Sequence, residues 1–218
     1  MPPGLALIFD MDGVIVDSNP VHREAWRAYN LRFGIPTDED MLRRMYGKRN
    51  DDIVRDFFGT HLSPEAVFEH GAAKERLYRE LMSGRVEEWL VPGVREFLAR
   101  HAGLAIGLAS NAEAANVEFL LDAAGLRPYF RAAVDGYMVA NPKPHPEIYL
   151  RTAQLLGSRP ENCIVFEDSP GGIEAARAAG MRVVGVRTTH RAIAGADLEI
   201  RDFLDVRLEP WLQQQKPF

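Results

Sequence analysis

Four short, continuous apolar runs recur along the 218-residue chain: LALIF (5–9), LAIGLAS (104–110), CIVFED (163–168) and RVVGV (182–186). Runs of this length without polar alternation predict strands buried on both faces. Helical patterns stand between them. AEAANVEFLLDAAG (112–125) and PGGIEAARAAG (170–180) each close on a glycine suited to a helix terminus, Gly125 and Gly180. Strands alternating with helices of this size predict an α/β fold, built from βα units around a parallel sheet. FRAAVDG (130–136) is a weaker strand candidate, and ADLEI (196–200) a candidate edge strand.

Residues 18–88 break the alternation. PVHREAWRAYNLRFG, DEDMLRRMYG, DDIVRDFFG and SPEAVFEHGAAKERLYRELMSG are charged and helically spaced, with no strand signal among them. This predicts an all-helical subdomain inserted after the first strand, with Gly84 and VPGV (91–94) marking the return to the sheet. The expected division is a core of residues 1–16 and 89–218, and a helical insert of residues 17–88. QQQKPF at the end is expected to fray.

The polar residues that end the strands carry the chemistry. In an open parallel sheet, ligands bind outside the carboxyl ends of the strands. The first apolar run ends in Asp10 and Asp12, followed at once by Gly13; the second ends in Ser110 and Asn111. The run at 163–168 ends in Glu167 and Asp168, and NPKPHPEIY ahead of it holds Lys143 between two prolines that stiffen its loop. Carboxylates, a hydroxyl and one fixed cation from four separated segments suit phosphoryl transfer. Hard carboxylate oxygens hold Mg²⁺. A carboxylate can also be the nucleophile, a second one can protonate the leaving oxygen, and lysine and serine can neutralise the phosphoryl oxygens. Gly13 lets the backbone approach the transferring group. Ser110-Asn111 are expected in addition to cap the following helix. On the helical insert, His22, Arg49, Asn50 and Lys74 are candidates for contact with substrate.

Composition narrows the class further. The net charge of −5, with no basic stripe, argues against nucleic-acid and membrane-surface partners. The single cysteine, Cys163, excludes an internal disulfide and reads as a buried structural thiol. No basic leader segment and no apolar stretch of membrane-spanning length is present, so a cytoplasmic protein, monomeric, is expected. No G-x-G-x-x-G follows the first strand, which disfavours a non-catalytic nucleotide- or phosphate-binding module. Serine-hydrolase and zinc-protease motifs are missing as well.

DMDGV (10–14), Ser110, Lys143 and EDS (167–169) together resemble the four ordered motifs of the haloacid dehalogenase superfamily. KPHPEIY (143–149) and FEDSPGGIEAARAAGM (166–181) are similar to its beta-phosphoglucomutase-like branch, whose helical cap follows the first motif. The resemblance implies a Rossmann-like core, Asp10 as nucleophile and Asp12 as general acid/base. It implies Mg²⁺ held by Asp10, Asp12 through its backbone carbonyl, and Asp168, helped by Glu167, with Ser110, Asn111 and Lys143 binding the phosphoryl group. The expected activity is Mg²⁺-dependent hydrolysis of a small phosphorylated, sugar phosphate-like metabolite through an aspartyl-phosphate. The alternative is a beta-phosphoglucomutase, similar to this chain at Asp17, Ser18, His22 and Lys74. Two departures favour hydrolysis. Glu113 stands in NAEAAN where a mutase lysine is expected, and would repel a sugar phosphate. In YGKRNDDI, Arg49 comes one place early against the mutase's substrate-gripping arginine.

Overall fold

The computed structural model describes residues 4–215. Six strands form one parallel sheet: β1 (Ala6–Phe9), β2 (Ala105–Ala109), β3 (Ala132–Val134), β4 (Cys163–Glu167), β5 (Arg182–Val186) and β6 (Leu198–Ile200). Their order across the sheet is β3-β2-β1-β4-β5-β6. Phe9 lies between Leu108 and Phe166 in register. Both weaker strand candidates are real and occupy the sheet ends, β3 at one and β6 at the other. The order reverses between β1 and β4, and a crevice opens at such a switch point outside the strand carboxyl ends.

The burial of the strands explains their unbroken apolar runs. Successive side chains point to opposite faces, so Leu7 and Phe9 pack in one cluster while Ala6 and Ile8 pack in another. The first cluster is covered by α5 (Val94–Arg100), α6 (Ala114–Ala123) and α9 (Leu208–Gln214) through Phe97, Leu120 and Leu212. The second is covered by α7 (Glu147–Leu155) and α8 (Pro170–Ala178) through Ile148, Tyr149 and Ala175. Gly125 and Gly180 follow α6 and α8 at φ +62° and +76°, the left-handed geometry that stops a helix there.

Between β1 and α5 the described residues form helices: α1 (Asn19–Leu31), α2 (Glu39–Arg44), α3 (Asn50–Phe58) and α4 (Pro64–Met82), then a short 3₁₀ turn at Val86–Trp89. Asp38 caps α2 by accepting from the Met41 amide at 2.8 Å. Ser63 does the same for α4 from Ala66 at 3.2 Å, with Pro64 opening the helix. These helices own a separate apolar centre that includes Trp26, Leu42, Val54, Phe57 and Val67. The chain enters and leaves side by side: the Asp17 amide donates to Trp89 O at 2.8 Å, and the Val91 amide to Ile15 O at 3.0 Å.

One expectation fails at the C-terminus. Gln213 and Gln214 belong to α9 rather than to a frayed tail, because Leu208 and Leu212 bury one face of that helix in the sheet cluster. The remainder of QQQKPF beyond Gln215, like residues 1–3, lies outside the described residues.

Candidate active site

The first motif leaves β1 through a tight turn. The amides of Val14, Ile15 and Val16 all point to the Met11 carbonyl, and the Gly13 amide donates to Val16 O at 2.7 Å. Gly13 adopts φ +82°, and a side chain there would overlap the Asp168 carboxylate. A residue without a Cβ is therefore required where β1 and β4 bring their loops together.

Asp10 sits at the switch point, 7% exposed. The Lys143 ammonium donates to Asp10 Oδ1 at 2.8 Å, to Glu167 Oε1 at 2.7 Å and to the Ala109 carbonyl at 3.0 Å. One buried cation thus ties the ends of β1, β2 and β4. Burial pushes the Asp10 carboxyl up to about 7; Lys143 opposes the rise and the Glu167 charge adds to it. Asp168 is pushed well above the carboxylate range by burial and by the charges of Glu167 and Asp10. Burial acts upward on Glu167 too, yet Lys143 and hydrogen bonds from Ser169 and Tyr149 hold it below its ordinary value. For Lys143, burial is outweighed by the two carboxylates, and its ammonium is held above the ordinary value.

The oxygens of Asp10, Glu167 and Asp168 lie within 4.8 Å of one another. Three hard oxygen donors around one ammonium leave negative charge unmet, and that donor set fits a divalent cation such as Mg²⁺. Glu167 is already heavily engaged. Its Oε1 accepts from Lys143 and the Tyr149 hydroxyl, and its Oε2 accepts from the amides of Asp168 and Ser169 and from the Ser169 hydroxyl.

Asp12 is less enclosed, its side chain 23% exposed. It accepts from Ser18 Oγ at 2.5 Å, with His22 Nε2 at 3.5 Å. His22 stacks on Tyr78 with centroids 3.8 Å apart and meets Lys74 Nζ through Nδ1 at 3.1 Å. Lys74 is buried and donates to Glu75 at 2.6 Å. Burial tends to raise Glu75, but the charges of Lys74 and His22 and hydrogen bonds from Lys74 and Asn116 hold it at about 2.

The other candidates separate clearly. Ser110 and Asn111 line the cavity beside Asp10. They do not cap α6, which begins at Ala114 with Glu113 in the capping position; Ser110 Oγ accepts the Ala112 amide and shapes the turn ahead of the helix. Asn111 reaches across to the α2–α3 loop, donating to Gly47 O at 2.8 Å, while its own oxygen takes the Lys143 amide at 3.3 Å. Asn50 and Lys48 line the cavity, but Arg49 does not. Its guanidinium lies 4.6 Å over the Tyr137 ring and pairs with Asp51 at 3.2 Å. Glu113 is also off the cavity lining, held by Arg79 of α4 at 2.5 Å. The repulsion anticipated for this carboxylate is thereby offset by a cation from another element, which no local segment displays. Cys163 is buried, with its thiol pushed up to about 12 by that burial, as a structural cysteine should be.

Several contributors escape sequence reasoning. Glu75 and Tyr149 are helix residues whose contacts only packing reveals. Thr188 and Thr189 lie just past β5, after Arg187. Thr188 Oγ1 donates to the Gly13 carbonyl at 2.5 Å, and Thr189 Oγ1 contacts Asp168 Oδ2. The rule that found the other site residues, a polar group just past a buried strand, finds these as well when applied to RVVGVRTT.

Comparison with known proteins agrees with this geometry. A haloacid dehalogenase-like hydrolase model matches residues 5–180. Fructose-1-phosphate phosphatase YqaB of Escherichia coli is 37% identical over 183 residues, covering 83% of this chain and 95% of the relative. Beta-phosphoglucomutase of Bacillus subtilis is 35% identical over 211 residues, covering 94% and 92%. Among solved structures, beta-phosphoglucomutase from Clostridium difficile superposes with a TM-score of 0.86 at 28% identity, covering 96% of each chain. No helix among the described residues is long and apolar enough to cross a membrane. A parallel sheet with acidic residues gathered at its switch point, matched along most of its length by these relatives, places the chain in the haloacid dehalogenase-like hydrolase family.

Proposed function

We propose that the protein is a Mg²⁺-dependent phosphatase that hydrolyses a small sugar phosphate-like metabolite through an aspartyl-phosphate on Asp10. The observation that carries this reading is a buried Asp10 held by Lys143 beside a second, more accessible acid, Asp12. In this scheme a carboxylate oxygen of Asp10 forms the bond to phosphorus as the P–O bond to the leaving alcohol breaks, and Asp12 gives that oxygen its proton. Water then attacks the phosphoryl-aspartate, Asp12 takes the water's proton, and inorganic phosphate leaves with Asp10 restored. Ser18 and His22 hold Asp12 in place for both transfers. Lys143, Ser110 and Asn111 orient the phosphoryl oxygens. Mg²⁺, when bound, supplies positive charge to those oxygens as charge develops on them. Asp10, Asp168 and the Asp12 carbonyl would hold the ion, helped by Glu167, whose oxygens also accept from Lys143, Tyr149 and the Asp168 and Ser169 amides.

We take residues 17–88 as the cap and residues 1–16 with 89–218 as the catalytic core. A monomer working in the cytoplasm is part of the same proposal. Relatives named as phosphatases of fructose 1-phosphate and of phosphorylated carbohydrates support hydrolysis of a phosphorylated sugar. A mutase reading keeps some support from the His22–Lys74 pair beside Asp12. Phosphate release from a panel of sugar and polyol phosphates with Mg²⁺ tests the hydrolase reading. Asp10→Asn should lower that release by about 10³-fold or more with the fold retained. Full activity in Asp10→Asn overturns the covalent route. Incubation with β-glucose 1-phosphate and a trace of β-glucose 1,6-bisphosphate separates the two fates: glucose 6-phosphate forming faster than free phosphate makes the protein a mutase.

A further inference from the structure

Thr189 takes no part in the reaction above, yet its hydroxyl stands between two groups that matter. It contacts Asp168 Oδ2 on one side and the Asn19 side-chain nitrogen, at 2.6 Å, on the other. The direction of this relay is set by chemistry. The Asn19 amide nitrogen can only donate, and Asp168 in the ionised form that binds a cation can only accept, so in that form the threonine proton points at Asp168. Asn19 is the first residue of α1, which Asp17 and Ser18 join to the turn that carries Asp12. Next door, Thr188 donates to the Gly13 carbonyl, and Gly13 comes so close to Asp168 that a Cβ there would overlap the carboxylate and crowd the Thr189 hydroxyl. Asp168 is buried and has little freedom beyond these contacts.

We propose that Thr189 is a positioning residue for Asp168, with Asn19 locking the threonine proton onto the carboxylate, so that the strength of the cation site depends on a contact made by α1. This rests on the reading of Asp168 as a Mg²⁺ ligand. A ligand carboxylate with one oxygen held by a fixed donor meets the ion in a restricted orientation, and loss of such a supporting hydrogen bond typically weakens metal binding about 10–100-fold. Thr189→Val keeps the side-chain shape and removes only the hydroxyl. Thr189→Ser restores it.

The test is thermal melting of EDTA-treated protein across a MgCl₂ titration, with no substrate present. The half-saturating Mg²⁺ concentration should rise about 10-fold or more in Thr189→Val and return to within a few-fold of wild type in Thr189→Ser. Asn19→Leu, which leaves the hydroxyl in place but unlocked, should fall between. A threonine that served packing alone would lower the melting temperature in EDTA and leave the Mg²⁺ midpoint where it was. An unchanged midpoint in Thr189→Val overturns the proposal. If that variant does not fold, an unchanged midpoint in Asn19→Leu overturns it, and a raised one supports it. A wild-type protein whose melting ignores Mg²⁺ instead removes the metal reading of Asp168, and this proposal with it.

Discussion

Replacing Lys143 with methionine removes one ammonium while nearly conserving the side-chain volume, and its consequences can be worked from three distances. Nζ lies 2.8 Å from Asp10, 2.7 Å from Glu167 and 3.0 Å from the Ala109 carbonyl. With an effective dielectric of about 20, each ion pair is a gross attraction of about 6 kcal/mol. Most of that offsets the desolvation of the three groups. What a variant loses is the net cost of leaving buried carboxylates without their cation, about 3–5 kcal/mol when one partner of a buried pair is removed. For a chain of this size, about 2–4 °C accompanies each kcal/mol, so the melting temperature in EDTA at pH 7.5 should fall by about 6–20 °C. A second effect follows from Asp10. Its carboxyl already stands at about 7, with Lys143 as the main restraint against further rise. Without the lysine, a larger fraction of Asp10 is protonated at neutral pH in the metal-free protein, so the Mg²⁺ concentration giving half-maximal phosphate release should rise. Phosphate release at saturating Mg²⁺ should drop by about 10²-fold or more, in line with loss of one charge-stabilising group. Lys143→Arg should not rescue it, because a planar guanidinium fork cannot reach two carboxylates and a carbonyl from a point. Calorimetry and a phosphate-release assay on the same preparations decide the matter. A Lys143→Met protein melting within about 2 °C of wild type, or turning over at the wild-type rate, refutes the reasoning.

Two further outcomes can be checked directly. Gly13→Ala forces a side chain to φ +82° and against the Asp168 carboxylate; it should cost at least about 1–2 kcal/mol in a denaturant titration and reduce turnover, and a neutral result would mean the turn at 11–16 is looser than described. Glu75 is held at about 2 against an ordinary value of 4.5, so its contribution to stability is full above about 4.5 and is lost as the pH falls towards 2. Glu75→Gln should therefore be markedly less stable than wild type at pH 6.5, with the gap narrower at pH 3 and closing only towards pH 2 and below; a gap independent of pH would show that its partners do not favour the ionised form.

Much of the fold was legible because burial leaves a local trace. Strands covered on both faces must be apolar at every position, so β1, β2, β4 and β5 appear as unbroken runs, and the polar residues that follow them mark the strand ends where an α/β crevice opens. That alone points to Asp10, Asp12, Ser110, Asn111, Glu167 and Asp168. The helical insert is equally plain from its charged 3.6-residue spacing. What the one-dimensional pattern could not display is which distant groups meet. Arg79 cancels Glu113 across 34 residues, and Lys74 joins His22 across 52. Arg49 turns away to Tyr137 while Asn50, one residue on, faces the cavity. Thr189 reaches Asp168 and Asn19 only because β5 lies beside β4 and α1 starts above both ends. Element identity follows from local patterning of apolar and polar residues. The charge balance of a buried site depends on through-space distances of a few ångströms, which exist only once the sheet order is set and the helices are packed on it.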